Sequence, residues 1–328
     1  MLLKLFKQSK PIILIFVLIL AIISRIFLLL QLPDSPNYAD QYPLFSGLWN
    51  FLSEHSTLSI ILSFLLQFTQ ASWMNRIAVS NGLVKPSSLL PVLLYILFTS
   101  SFHTLYLSPI ILGQLFILLA IDRLLRIYPA KNVPTNLFNA SLLLSIGTIL
   151  CPEILILSLS IVLFMFIYGL SEFRNWLVSI IGFLLPFLFF VTYEVTILNT
   201  DTLILGNYLS PSIKIYELIT QLDWSFYIAG IIGAIYFVMA FSDLNKAFSK
   251  KNIQKRYSLS FILWTTPLIL VYQLFNNNPA GYILLCIPMT LLLSNYYMHK
   301  RESLKIHLSF NLLLLLLIFG IPLWTLFQ

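Results

Sequence analysis

Apolar runs of about 20 residues recur from one end of this chain to the other, and no other feature narrows its folding options as much. A helix of that length crosses the roughly 30 Å hydrocarbon layer of a bilayer. Helices are the form such runs must take, because lipid offers no partner to an open backbone N–H or C=O. The alternating pattern of a barrel strand is absent. Composition agrees: 59% of the 328 residues are hydrophobic and 9% are charged, against about 25% charged in soluble domains. The mean hydropathy is +0.91. The expectation is an all-α, polytopic transmembrane helix bundle forming a single membrane domain over 1–328.

The runs predict about 11 spans, within a range of 10–12. They fall near 11–31, 56–74, 88–106, 109–121, 136–150, 154–170, 176–197, 224–242, 258–275, 280–297 and 307–327. Lys4, Lys7 and Lys10 precede the first run. That run is longer than a signal-peptide core and no small-residue cleavage site follows it, so it reads as a retained span. The fifth run, of about 15 residues, is short for a full crossing and would be tilted or re-entrant. Two longer connections stand out, 32–55 and 198–223, and the first holds an aromatic segment, Tyr42 to Phe51, suited to lying in the membrane interface.

Basic residues orient such a bundle. With the N-terminus in the cytoplasm, every one of the 19 Lys and Arg residues except Arg25 and Lys214 falls on the cytoplasmic side, and the C-terminus falls outside. The net charge of +7 therefore reports topology rather than a nucleic-acid partner. Most of the 12 acidic residues lie at or near the outer face: Asp34, Asp40, Glu54, Glu153, Glu194, Asp201, Glu217 and Asp223. Acids contribute little to insertion, so this bias directs the search for chemistry outward.

Arg25, inside the first run, is a cation that must be paired, hold a lipid phosphate or snorkel to the headgroups. Asp34 and Asp40 follow in a loop bent by Pro33 and Pro36. There a carboxylate can serve as a general base or hold a divalent cation, or simply form a solvated turn. Tyr38 and Tyr42 flank Asp40. Glu153 follows Cys151-Pro152 at an outer hairpin tip, where Pro and an acid also suit a helix start. Glu194 and His103 lie near outer span ends, and Lys214 in the second outer loop is suited to line a pocket or to remain a surface charge. The two cysteines, Cys151 and Cys286, match neither a metal spacing nor a disulfide framework. No P-loop, H-E-x-x-H, C-x-x-C or G-x-S-x-G occurs.

A first span with Arg25, then Pro33, Asp34, Tyr38 and Asp40, then the aromatic segment, resembles the C-type glycosyltransferase superfamily. The resemblance implies Asp40 or Asp34 as catalytic base and a polyprenyl-phosphate-linked sugar as donor. Arg25, Tyr38, His103, Glu153, Glu194 and Lys214 are the candidates for binding such a substrate. Asp40 is followed by Gln41, where members of the superfamily often carry a second acid. The chain is also similar to polytopic bacterial inner-membrane proteins of unassigned role. The expected setting is then the bacterial cytoplasmic membrane, with membrane lipids and other envelope proteins as partners. A non-catalytic subunit or assembly factor of a cell-envelope machine is the alternative. A transporter or flippase ranks third, since only 11 glycines and no internal repeat are present.

Overall fold

The computed structural model describes residues 45–101, 105–128, 132–193, 195–196, 253–275, 279–299 and 304–315, with Ile15, Ile19, Ile22, Tyr38, Tyr42, Val238 and Phe241. Among the described residues all regular structure is helical. A short helix α1 (Ser46–Glu54) leads into α2 (Ser56–Ser80), α3 (Leu90–Ser101), α4 (Pro109–Leu125) and α5 (Val133–Leu150). A 3₁₀ segment (Pro152–Ser158) continues as α6 (Leu159–Tyr168), followed by α7 (Phe173–Tyr193). The next described elements are α8 (Ile253–Phe275), a second 3₁₀ segment (Pro279–Leu285), α9 (Cys286–His299) and α10 (Leu304–Leu315). Three of these, α2, α5 and α7, are long and apolar enough to cross a membrane.

The helices stand where the apolar runs predict them, with shifted ends. The fifth run gains most: α5 starts at Val133 and has 18 residues, because Pro134 sits in the first turn, where its missing N–H costs nothing. It therefore has the length of a full crossing rather than of a re-entrant hairpin. The expected first and eighth spans, 11–31 and 224–242, lie outside the described residues apart from single positions, and so does the eleventh, 307–327, beyond 315.

Burial on α2 is inverted relative to a soluble helix. Its interior face carries Ser59, Ser63, Gln67 and Gln70, all buried, while Leu58, Ile61, Leu62 and Leu65 point outward. The spacing of four, four and three residues keeps the polar groups in one stripe. A helix that turns apolar side chains out and amides in is stable only where the surroundings are less polar than the protein.

The stripe meets polar groups from its neighbours. Gln70 Nε2 donates to the Ile111 carbonyl of α4 (2.6 Å), and Gln114 Nε2 of α4 donates to the Ile283 carbonyl of the second 3₁₀ segment (2.6 Å). Between the two glutamines stands the Tyr95 hydroxyl of α3, 2.9 Å from Gln70 Oε1 and 3.1 Å from Gln114 Oε1. Both amide nitrogens are committed to carbonyls, so both oxygens face the phenol and share its single proton.

Each 3₁₀ segment is seven residues long and starts at proline. Stretched at about 2.0 Å per residue, the first one plus α6 reaches about 29 Å, against about 26 Å for the same residues wholly α-helical. The difference brings a short run close to the thickness of the hydrocarbon layer.

Successive helices run between two ends of the bundle. At one end, where α4 starts and α5 stops, the Leu107 N–H donates to Ser59 Oγ (3.0 Å) and the chain turns at Cys151-Pro152. At the opposite end Lys255 Nζ meets His299 Nε2 (2.8 Å), Arg126 Nε donates to Asp122 Oδ1 (3.1 Å), and Tyr257 contacts Tyr128 and Tyr168.

Candidate functional site

At the end that carries the Cys151-Pro152 turn, a carboxyl group is folded inward. Helix α5 stops at Leu150, Cys151 is extended (φ −149°), and Pro152 opens the first 3₁₀ segment with Glu153 in its first turn. The tip leans on α4 because Gly113 has no side chain. A Cβ there would stand 2.3 Å from Ile154 Cδ1 and 3.4 Å from Cys151 Cβ. The position of Glu153 suits a helix start, as the sequence predicts, but its side chain is buried and bonded elsewhere. The Tyr42 hydroxyl donates to Glu153 Oε1 (2.9 Å), and the Cys151 thiol donates to Oε2 (2.8 Å). Each carboxyl oxygen therefore has a donor from the protein.

Tyr42 ties this tip to the stretch that precedes α1. Its N–H donates to the Tyr38 carbonyl (2.9 Å), which closes one turn of chain. The Tyr38 ring stands edge-on to Tyr42 (centroids 6.4 Å apart) and to Trp49 of α1 (6.0 Å). Edge-to-face contacts of this kind suit the ring quadrupoles. Burial pushes the Tyr38 phenol up to about 12, since the phenolate would lose its hydration. Trp49 is buried, and its indole N–H has no hydrogen-bond acceptor among the described residues. The rest of α1 divides between Leu52, buried with Trp49, and an outward side with Leu48, Asn50 and Phe51.

Of the residues that the sequence marks for function, Tyr38 and Glu153 come together here, joined through Tyr42. Arg25, Asp34, Asp40, His103, Glu194 and Lys214 lie outside the described residues. So do the carboxylates expected to hold a cation; among the described residues no three His, Cys, Asp or Glu side chains cluster as a metal site would require.

No protein-family model matches this chain, and no curated protein or solved structure matches it either. The site is therefore argued from its own chemistry.

The Gln70–Tyr95–Gln114 junction is not singled out in the sequence, and Trp49 and Cys151 stand out there only as part of the aromatic segment and as a cysteine at the hairpin turn. Polar residues every third or fourth position within an apolar run, at 59, 63, 67 and 70, are the signal for the junction. Nothing local marks Cys151 as a partner of Glu153 beyond its place two residues earlier.

Proposed function

We propose that the chain is a bacterial cytoplasmic-membrane protein of about 11 spans, N-terminus inside, that transfers a sugar from a polyprenyl-phosphate donor on the outer side. The observation that carries this reading is the Tyr42–Glu153 hydrogen bond, which anchors loop 32–55 to a hairpin 111 residues away in sequence. An anchored loop can hold a reagent in place. Asp40 lies two residues before the anchor and two after Tyr38 in sequence.

In this reading Asp40 accepts the proton of an acceptor hydroxyl as its oxygen attacks the anomeric carbon. The bond from that carbon to the phosphate oxygen breaks, and polyprenyl phosphate leaves with the electron pair. Arg25 meets the phosphate charge. Glu153, with both oxygens engaged by Tyr42 and Cys151, positions the loop and takes no part in proton transfer. The resemblance to C-type glycosyltransferases supports the assignment of roles. The test is transfer in proteoliposomes: Asp40→Asn should abolish it at unchanged protein level, and full activity in that variant would remove the proposed base.

A second reading, a non-catalytic subunit of a cell-envelope machine, draws support from α7. Only Asn175, Ser179 and Gly182 of that helix are buried, which leaves most of its surface for lipid or a partner helix. It expects stable co-purifying membrane proteins and outer carboxylates that can be replaced singly without loss of function.

A further inference from the structure

The first turns of α8, at the end of the bundle opposite the Cys151-Pro152 tip, are tied to several neighbours, and one of these ties carries charge. Gln254 Nε2 donates to Asn81 Oδ1 in the turn after α2 (3.5 Å). The Tyr257 ring meets Tyr128, just past α4, and Tyr168, at the end of α6, with centroids 6.3 Å and 5.1 Å away. Lys255 Nζ stands 2.8 Å from Nε2 of His299, the last residue of α9. The lysine is 8% exposed, whereas the histidine is open to solvent.

The second contact of the ring fixes its proton. His299 Nδ1 lies 3.1 Å from the Asn295 carbonyl, which can only accept, so Nδ1 carries the hydrogen. An ammonium can only donate, so Nε2 must carry none. A neutral ring beside a charged lysine satisfies both contacts at once. A proton added to Nε2 removes that acceptor and sets two cations in contact. The C-terminus of α9 favours a charged ring, but it amounts to about half a charge, against a full one on Lys255. The surroundings do not offset the repulsion. Helix α3, which packs on α9, carries no charged residue. Helix α2 and its turn bring Arg76 and Lys85, and α8 adds Arg256 and Tyr257. Helix α4 brings Arg123 and an Asp122 already held by Arg126, while Glu172 and Arg174 follow α6. Lys300, Arg301 and Glu302 come next in sequence.

We propose that Lys255 and His299 form a pH-sensitive latch between α8 and α9, closed while the ring is neutral and released when it takes up a proton. The exposed ring can swing into solvent, and the buried lysine stays behind without this acceptor. Histidine is the side chain suited to such a task, since its ordinary value of about 6.5 lies close to neutral pH. With the N-terminus inside, this end faces the cytoplasm, and cytoplasmic acidification is the signal that opens the latch.

The full chain in lipid nanodiscs tests it, with ring-labelled histidine read by nuclear magnetic resonance and the His299 signals identified by their loss in His299→Gln. At about pH 8 the ring should be neutral with its hydrogen on Nδ1. As the pH falls to about 5.5 the ring should charge, and amide exchange over 253–257, corrected for its intrinsic pH dependence, should rise about ten-fold. Lys255→Met should let the ring take up its proton about ten-fold more readily. His299→Gln, whose amide oxygen accepts from Lys255 at any pH, should hold exchange low across the range. A hydrogen on Nε2 at about pH 8 would overturn the proposal. So would exchange in the wild type that does not respond to the charging of the ring, or an equal rise in His299→Gln.

Discussion

Helices α2 and α7 are both long enough to cross a bilayer, and both turn their small or polar residues inward, yet they are held in different ways. The inner stripe of α2 exchanges hydrogen bonds with its neighbours, through Ser59 to Leu107 in the stretch before α4 and through Gln70 to Ile111 of α4 and Tyr95 of α3. The inner residues of α7 make only a weak one: Ser179 Oγ donates to the Asn175 carbonyl of its own helix (2.9 Å) and reaches Met165 Sδ of α6 at 3.9 Å, and Asn175 Oδ1 is a buried acceptor with no partner among the described residues. What holds α7 is close approach at Gly182, where a Cβ would stand 2.7 Å from the Phe138 carbonyl oxygen of α5. Lipid is as apolar as leucine, so burying leucine against a neighbour gains little. Interhelical hydrogen bonds and tight contact between small residues are what remain, and these two helices take one each.

The contrast can be broken most sharply at Gly182. In Gly182→Leu the new Cβ collides with backbone, which cannot step aside, so α7 must shift. The expected loss is about 3 kcal/mol, read as a lower unfolding midpoint in detergent and faster proteolysis around 173–193. Survival of wild-type stability would show that α7 is free of α5 at that point.

On α2 the corresponding test is chemical. Gln70→Leu leaves the Ile111 carbonyl without its donor and should cost about 1–2 kcal/mol. A double-mutant cycle with Tyr95→Phe should return a coupling of about 0.6 kcal/mol, and a value near zero would show that the phenol serves Gln114 alone.

Tyr42→Phe should cost about 1 kcal/mol, with the effect confined to loop 32–55 and seen as faster amide exchange there. Glu153→Gln should be felt as well, since an amide nitrogen cannot accept and one of the two donors must lose its partner. The smallest effect is silent near neutral pH. The raised Tyr38 phenol predicts stability that is unchanged below its ordinary value near 10 and falls as pH climbs toward about 12, because the unfolded chain ionises first. Tyr38→Phe should remove that alkaline loss, as followed by ultraviolet titration and unfolding midpoints.

Much of the architecture was legible because apolar length and helix period are local properties. The runs at 56–74, 109–121 and 176–197 locate α2, α4 and α7, and the polar residues at 59, 63, 67 and 70 mark which face of α2 turns inward. The candidate site was legible only in its ingredients. Glu153 is visible at a hairpin tip and Tyr42 in an aromatic segment, but their pairing depends on how α1, α2 and α4 stack, and no spacing encodes that. Pro152 announces a helix start without saying that the first two turns will be 3₁₀. That outcome depends on how the segment packs on α4, where Gly113 receives Ile154.

Those stretched turns give the molecule a mechanical property. Rewinding Pro152–Ser158 as α-helix would shorten the segment by about 3.5 Å and rotate its first residue relative to α6. With α6 fixed, the Cys151–Glu153 tip would be drawn toward the middle of the bundle, and the Tyr42 bond would pull the first loop after it. Such a rewinding would couple the segment to the aromatic cluster, and its length change is within reach of a paired-label distance measurement.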